Sequence, residues 1–233
     1  RWLRHREPTP SPAPRVGPAA LASAAVLALL AGSFGYGFHR LSHPEFTPGP
    51  RVAAIQGSVP QFEKNRKGES LYGAYTALHW EAAAADPRPD LVVWPETCFT
   101  ADWVEVRPGE SPAEEFAKYA GRAGRAFAEM RPGVPVLLGL NAHEWEGGRE
   151  WKYNSALLLD AHGNKLGRYD KMHLVPFGEY VPFKDTLPWM QTFTPYENDY
   201  SCRPGEEWTR FPLTAADGRR FTFGCLICYE DSD

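Results

Sequence analysis

Cysteine is scarce: 4 in 233 residues, too few for a disulfide scaffold at this length, so an apolar core must carry the fold. An excess of either charge is also missing. With 25 Lys+Arg against 29 Asp+Glu the net charge is −4, which excludes the basic field of a nucleic-acid binder. There is no internal repeat and, outside Pro-rich linkers, no low-complexity run. Position 1 is Arg rather than Met, so the chain is expected to lack its true beginning. What is present is apolar content, 43% of residues, enough for one large domain or two small ones.

Val16 to Phe38, "VGPAALASAAVLALLAGSFGYGF", is 23 residues without a charge, long enough to cross the hydrocarbon core of a membrane. A signal peptide has a shorter apolar region ending at a small-residue cleavage site. Here "ASA" (Ala22–Ala24) falls in mid-stretch, so a spanning helix over 16–38 is expected. Arg1, Arg4, Arg6 and Arg15 precede it, while only Arg40 and Arg51 follow closely. This asymmetry puts residues 1–15 on the cytoplasmic side and the remainder outside. "SHPEFTPGP" reads as a linker over 39–50.

Residues 51–233 read as an α/β layered domain. "RVAAIQ" (Arg51–Gln56), "LVVW" (Leu91–Trp94) and "VPVLLGL" (Val134–Leu140) are strands. Lys67 to about Ala85 carries Leu71, Tyr75, Leu78 and Ala82 at helical spacing. Ser111, Pro112 and Glu114 form a capping-box start for a helix running to about Met130. "YNSALLLD" and "KLGRYD" flank "AHGN" as a hairpin, and "RFTFGCLIC" (Arg220–Cys228) is a last strand.

Three chemistry-bearing residues follow strand ends, where α/β sheets place their sites. "LVVWPE" delivers Glu96, "YDKMHL" delivers Lys171, and "GCLICYE" delivers Cys228. A free thiol has a pKa of about 8.5 and is mostly protonated at neutral pH. A carboxylate beside it can take the proton as sulfur attacks, and an ammonium favours thiolate and can hold a tetrahedral oxyanion. Each also has a plainer explanation: Glu96 as a cap, Lys171 as a surface lysine, Cys228 as a small core residue.

"WPET", "YDKMHLVPFGEYVPF" and "LICYE" resemble the Glu, Lys and Cys motifs of the nitrilase, or carbon–nitrogen hydrolase, superfamily. The extended "HLVPFGEYVP" is similar to its membrane-bound branch, the apolipoprotein N-acyltransferases. "AAIQGSVPQ" and "YNSALLL" also match strands of that family. The resemblance implies an α-β-β-α sandwich with Glu96 as general base, Lys171 as oxyanion partner and Cys228 as nucleophile. It further implies that Glu179 supports the site and that Tyr229 and Glu230 line it, with neither metal nor cofactor. The reaction implied moves an acyl chain from a phospholipid, through a cysteine thioester, to the N-terminal amine of a diacylglyceryl-cysteine on an apolipoprotein. Its expected place is the bacterial inner membrane with the catalytic domain periplasmic, and "LPWMQTFTPYENDY" (Leu187–Tyr200) would be a loop dipping into the interface. Departures from the family are Cys98 and Phe99 after "WPET", and Asn65 where an aromatic is common. Because the family continues beyond the nucleophile strand, the chain is expected to be a fragment at both ends, inactive and poorly folded alone.

Two other readings stay open. A nitrilase-like amidase would use the same three residues with water as acceptor, and a non-catalytic membrane-anchored binding domain would keep only the fold. Cys225 and Cys228 form a C-x-x-C, but three apart on a strand they would face opposite ways. Cys98 and Cys202 could pair in an oxidising compartment. His143, His162 and His173 lack metal-ligand spacing, although His173 could orient Lys171.

Overall fold

The computed structural model describes residues 17–44, 46–60, 69–128, 130–184, 186–193 and 200–232. The basic N-terminal residues, Asn65 and part of the aromatic loop lie outside these. The chain divides into two compact units between Pro48 and Gly49. The first contains α1 (Pro18–Ser42), which starts with Pro18 in the first turn and ends with His39 and Arg40 in the last, a polarity that suits the helix dipole. Its 25 residues run four past the expected end at Phe38 and have a mean hydropathy of 1.7 over their most apolar window. By length and composition α1 is long and apolar enough to cross a membrane.

In the second unit, side-chain alternation sorts the core into two layers. The elements are β1 (Val52–Ala54), α2 (Glu69–Ala83), β2 (Leu91–Val93), β3 (Trp103–Val106), α3 (Glu114–Ala128), β4 (Val136–Glu146), β5 (Arg149–Leu159), β6 (Lys165–Asp170), β7 (Phe211–Thr214) and β8 (Arg220–Phe223). Val92, Val136, Leu138, Leu157 and Leu159 point to one face, where they meet Leu71 and Tyr75 of α2 and Phe127 of α3. Leu91, Leu137, Ala156, Leu158 and Tyr169 point to the other, where they meet Phe211, Leu213 and Ile227. A period of two on a sheet buried on both sides produces this division. The result is a nitrilase-like α/β fold with a mixed sheet: β1, β2 and β4 are parallel, β4, β5 and β6 antiparallel, and β7–β8 forms a second, two-stranded layer.

Helix α2 buries Leu71, Tyr75, His79 and Ala83, one residue per turn. His79 takes the Trp94 indole N–H on Nδ1 at 3.3 Å and lies 2.9 Å from the Pro132 carbonyl through Nε2. That pairing requires the neutral tautomer with the proton on Nε2. Helix α3 begins at Glu114, two residues past Pro112, and stops at Ala128 rather than Met130, within the usual blur of helix ends.

Strand β3 and the β4–β5 hairpin go beyond the sequence reading. β4 continues to Glu146 and turns back through Gly147 and Gly148, both at positive φ, as a two-residue hairpin needs. This length matters because β2 pairs with Val136 and Leu137 while β3 pairs with residues 142–145 of the same strand. Between them the chain leaves the sheet and carries Pro95 and Glu96 outward. Gly139 makes room: a Cβ there would run into the Pro95 carbonyl and stand 2.7 Å from the Glu96 Cα. Gly139→Ala is therefore expected to destabilise the domain by about 3 kcal/mol or to displace Glu96, measurable as a fall in the thermal midpoint.

The strand expected over Arg220–Cys228 stops at Phe223. Its partner β7 is four residues long, and Phe211 already pairs with Phe223, so no ladder remains for residues 224–228. The face argument for Cys225 and Cys228 therefore lapses. Cys98, Cys202, Cys225 and Cys228 are all free thiols.

Candidate active site

Glu96 stands in the gap of the sheet edge, where the backbone is held by Trp94 N–H on Leu137 O (2.9 Å) and Phe99 N–H on Gly139 O (3.0 Å). Its carboxylate is about a third exposed. Across β4, Asn154 of β5 donates its side-chain amide to Glu96 Oε1 at 2.6 Å and to Glu179 Oε1 at 2.8 Å. One NH₂ group thus bridges two carboxylates, using both of its protons. The Asn154 carbonyl oxygen of the backbone accepts the Lys171 N–H at 2.8 Å, extending the β5–β6 ladder one residue and fixing Lys171 opposite Asn154.

Lys171 is 1% exposed, 2.8 Å from Glu179 Oε2 and 3.8 Å from Glu96 Oε1. Burial works against its charge, but the hydrogen bond and charge of Glu179, followed by the charges of Glu96 and the Cys228 sulfur, outweigh it. The Lys171 pKa is held above the ordinary lysine value. Glu179 is fixed in turn by the Val175 N–H at 2.8 Å. Gly205 is the second close approach: its N–H reaches Lys171 O at 2.9 Å, and a Cβ would collide with the Asp170 carbonyl.

Cys228 is exposed and has φ +56°. Thr97 (φ +50°) and Phe177 (φ +61°) share the left-handed region. These three positions adjoin Glu96, Glu179 and the thiol itself. Non-glycine residues in that region cluster at sites where the surroundings over-determine the backbone.

The sequence reading placed Tyr229 and Glu230 together on the site wall; the structure separates them. Tyr229 is 65% exposed and lines a cavity. Glu230 is buried at 4% and is not among the residues that line that cavity. Its carboxylate accepts the Tyr169 hydroxyl (2.8 Å) and the N–H groups of Met172 (2.7 Å), His173 (3.1 Å) and Ile227 (2.8 Å). It clasps the Lys171 loop to the Cys228 turn. Burial pushes the Glu230 pKa up, but the backbone donors and the tyrosine hydroxyl outweigh it and hold it below the ordinary glutamate value. A depressed carboxylate pKa contributes stability above the unfolded value of about 4.3. The Glu230 contribution is therefore expected to fade as pH falls below that value and to vanish once the lower folded pKa is passed. Urea melts of wild type and Glu230→Gln from pH 7 downward should converge at the acid end.

The cavity has a volume of about 1370 Å³ and runs past Met172, His173 and Val175, which follow Lys171, past Tyr229, which follows Cys228, and past Trp151 of β5. Cys202 lies on its wall. Burial raises the Cys202 pKa, Glu179 adds to the rise, and the charges of Lys152 and Lys171 pull the other way. Among the described residues no cluster of three His, Cys, Asp or Glu could hold a metal; His143 instead bonds Glu150 at 2.6 Å. Asn154 is a site residue that the sequence reading does not single out, since "YNSALLL" reads only as a strand. The signal available was an amide placed where an otherwise apolar strand passes between two site carboxylates.

The carbon-nitrogen hydrolase profile matches residues 51–232. The chain belongs to the carbon-nitrogen hydrolase family. It is 34% identical over 232 residues to the apolipoprotein N-acyltransferase of Geobacter metallireducens, covering 99% of this chain and 39% of that protein. With the apolipoprotein N-acyltransferase of Methylococcus capsulatus it shares 35% identity, covering 91% of this chain and 37% of the other. The chain thus spans about two fifths of the length of these relatives. Among solved structures, an amidase from Nesterenkonia sp. aligns at 20% identity over 79% of this chain and 58% of its own, with a TM-score of 0.42. As a member of the carbon-nitrogen hydrolase family, the chain comes from a family of enzymes.

Proposed function

We propose that this chain carries the catalytic part of an N-acyltransferase that moves a fatty acyl chain from a phospholipid to the N-terminal amine of a diacylglyceryl-cysteine on an apolipoprotein. The supporting observation is the buried Lys171, 2.8 Å from Glu179 and 3.8 Å from Glu96. The names of the relatives support acyl transfer over hydrolysis, and the apolar helix α1 agrees with lipid substrates. Such an enzyme would work at the inner membrane with the domain on the periplasmic side, following the arginines before α1. Phe183, Trp189 and Tyr229, at 72%, 57% and 65% exposure, are the side chains suited to lipid contact.

Glu96 takes the thiol proton while Cys228 Sγ attacks the donor's ester carbonyl carbon. The tetrahedral oxyanion forms beside the Lys171 ammonium, a fixed charge in a site that costs no reorganisation. On collapse the carbon–oxygen bond breaks and protonated Glu96 returns its proton to the departing lysophospholipid alkoxide, leaving a thioester. The acceptor amine then attacks that thioester and Glu96 removes a proton from nitrogen. The Cys228 thiolate leaves and is reprotonated. Glu179 and Asn154 hold Lys171 and Glu96 in place throughout.

Asn154→Ala removes both bridging hydrogen bonds and is expected to slow acylation of Cys228 by about 10- to 100-fold. Asn154→Asp should be slower still, because it sets a third carboxylate beside Glu96 and Glu179. Single-turnover acylation checks both. The function itself is tested by giving the full-length protein labelled phospholipid and a diacylated lipopeptide. Label transferred to the peptide amine is the expected result. Ammonia released from small amides without transfer would make it an amidase, and neither transfer nor hydrolysis, with lipopeptide binding unchanged in Cys228→Ser, would make it a binding domain.

A further inference from the structure

The cavity beside the site is charged against the trend of the protein. Net charge is −4 overall, yet the cavity wall carries Arg149, Lys152, Lys184 and Arg203 against Glu150. Glu150 is engaged by His143, and Arg203 is neutralised by Glu146 and Glu206. Arg149 stacks on the Trp151 ring at 3.3 Å, and the Arg203 guanidinium lies 4.7 Å from the same ring, so two like charges are held around one indole. Neither Arg149 nor Lys152 has a carboxylate partner among the described residues.

Lys152 is the cation nearest the chemistry by register. It lies two residues before Asn154 on the same face of β5, about 7 Å along the strand. Its charge reaches Cys202, the thiol that also senses Glu179 and Lys171. The Arg203 N–H donates to Lys152 O at 2.7 Å, which fixes the backbone from which the lysine projects. A cationic wall about 7 Å along the strand from Asn154 suits a substrate whose anionic group is a few bonds from its ester.

We infer that Lys152 and Arg149, which line the same cavity although they lie three apart on β5, form a subsite for the phosphodiester of the phospholipid donor. The inference rests on the acyltransferase reading and adds the part of the donor that is held. An ammonium and a guanidinium facing a phosphate make charge-assisted contacts, and their field draws the headgroup in so that the adjacent ester meets Cys228.

The test uses the full-length protein in detergent micelles, with acyl-enzyme formation measured against donor concentration. Three arms are run: phosphatidylglycerol, the matching diacylglycerol without phosphate, and phosphatidylglycerol with inorganic phosphate as competitor. Lys152→Ala is expected to raise the half-saturating phosphatidylglycerol concentration about tenfold and to leave the diacylglycerol arm unchanged. Lys152→Arg should stay within about twofold of wild type. Added salt should weaken phosphatidylglycerol use in wild type and have little effect in the Arg149→Ala, Lys152→Ala double variant. Equal losses in the phosphatidylglycerol and diacylglycerol arms, or no loss in either, would overturn the subsite. So would inhibition by submillimolar phosphate with unchanged phosphatidylglycerol use in Lys152→Ala, which would assign the cations to free phosphate. If wild type forms no acyl-enzyme from any donor, the acyltransferase reading fails instead.

Discussion

Cys228→Ala abolishes acyl-enzyme formation, by about 10⁴-fold or more, and leaves the thermal midpoint within about 2 °C of wild type. The two halves of this expected result have separate causes. On the proposed mechanism activity goes because Cys228 is the nucleophile, for which nothing else in the site can substitute. Stability stays because the side chain is exposed and contributes little burial. The backbone takes the argument further, since φ at Cys228 is +56°. An L-residue held there costs about 1 kcal/mol that glycine avoids. Cys228→Gly is therefore expected to be as inactive as the alanine variant but more stable than wild type by about 1 kcal/mol, a direct exchange of stability for a presented thiol. Denaturant melts of the three proteins, with equal slopes, check the ordering.

Lys171→Met is expected to do the opposite and damage both properties. The ammonium is 1% exposed and lies 2.8 Å from Glu179. A side chain of similar length without charge leaves Glu179 as a largely buried carboxylate (16% exposed) whose counter-ion is gone, keeping, among the described residues, the Asn154 amide and the Val175 N–H. Removing one partner from such a pair costs about 3–5 kcal/mol. The same change removes the charge facing the oxyanion, worth about 10²–10³ in rate. Lys171→Met, Glu179→Gln should recover part of the stability and none of the activity, because it removes the stranded charge without restoring the cation. The double variant thus separates the structural role of the pair from its chemical one.

Much of the layout was legible in the sequence because strong local signals coincided with burial. "LVVW" and "VPVLLGL" are apolar on both faces, as strands covered on both sides must be, and Glu96 closely follows the first of them, while Lys171 directly follows the hairpin strand "KLGRYD". The hairpin at "AHGN" was legible from its turn residues. Other features depend on partners far along the chain. Strand β3 exists because β4 runs long enough to pair with both β2 and β3, and nothing in "WVEV" announces that length. The strand expected to reach Cys228 stops at Phe223 because β7 is short, a property of a different segment. Glu230 looked like a wall residue beside Tyr229, yet its four donors come from residues 169, 172, 173 and 227, which only the fold brings together. Asn154 escaped notice for the same reason, since the two carboxylates it bridges lie 58 and 25 residues away. The left-handed backbone at Cys228 had no signal at all, because cysteine, unlike glycine, does not advertise that conformation.

The most direct measurement is the intact mass of the full-length protein after incubation with a phospholipid of defined acyl chains and no amine acceptor, followed by peptide mapping. A mass increase of one acyl group on Cys228, lost on hydroxylamine treatment and discharged when a diacylated lipopeptide is added, is the predicted result. An unmodified Cys228 in a protein that still transfers the chain, or an acyl group on another residue that the lipopeptide discharges, would contradict it.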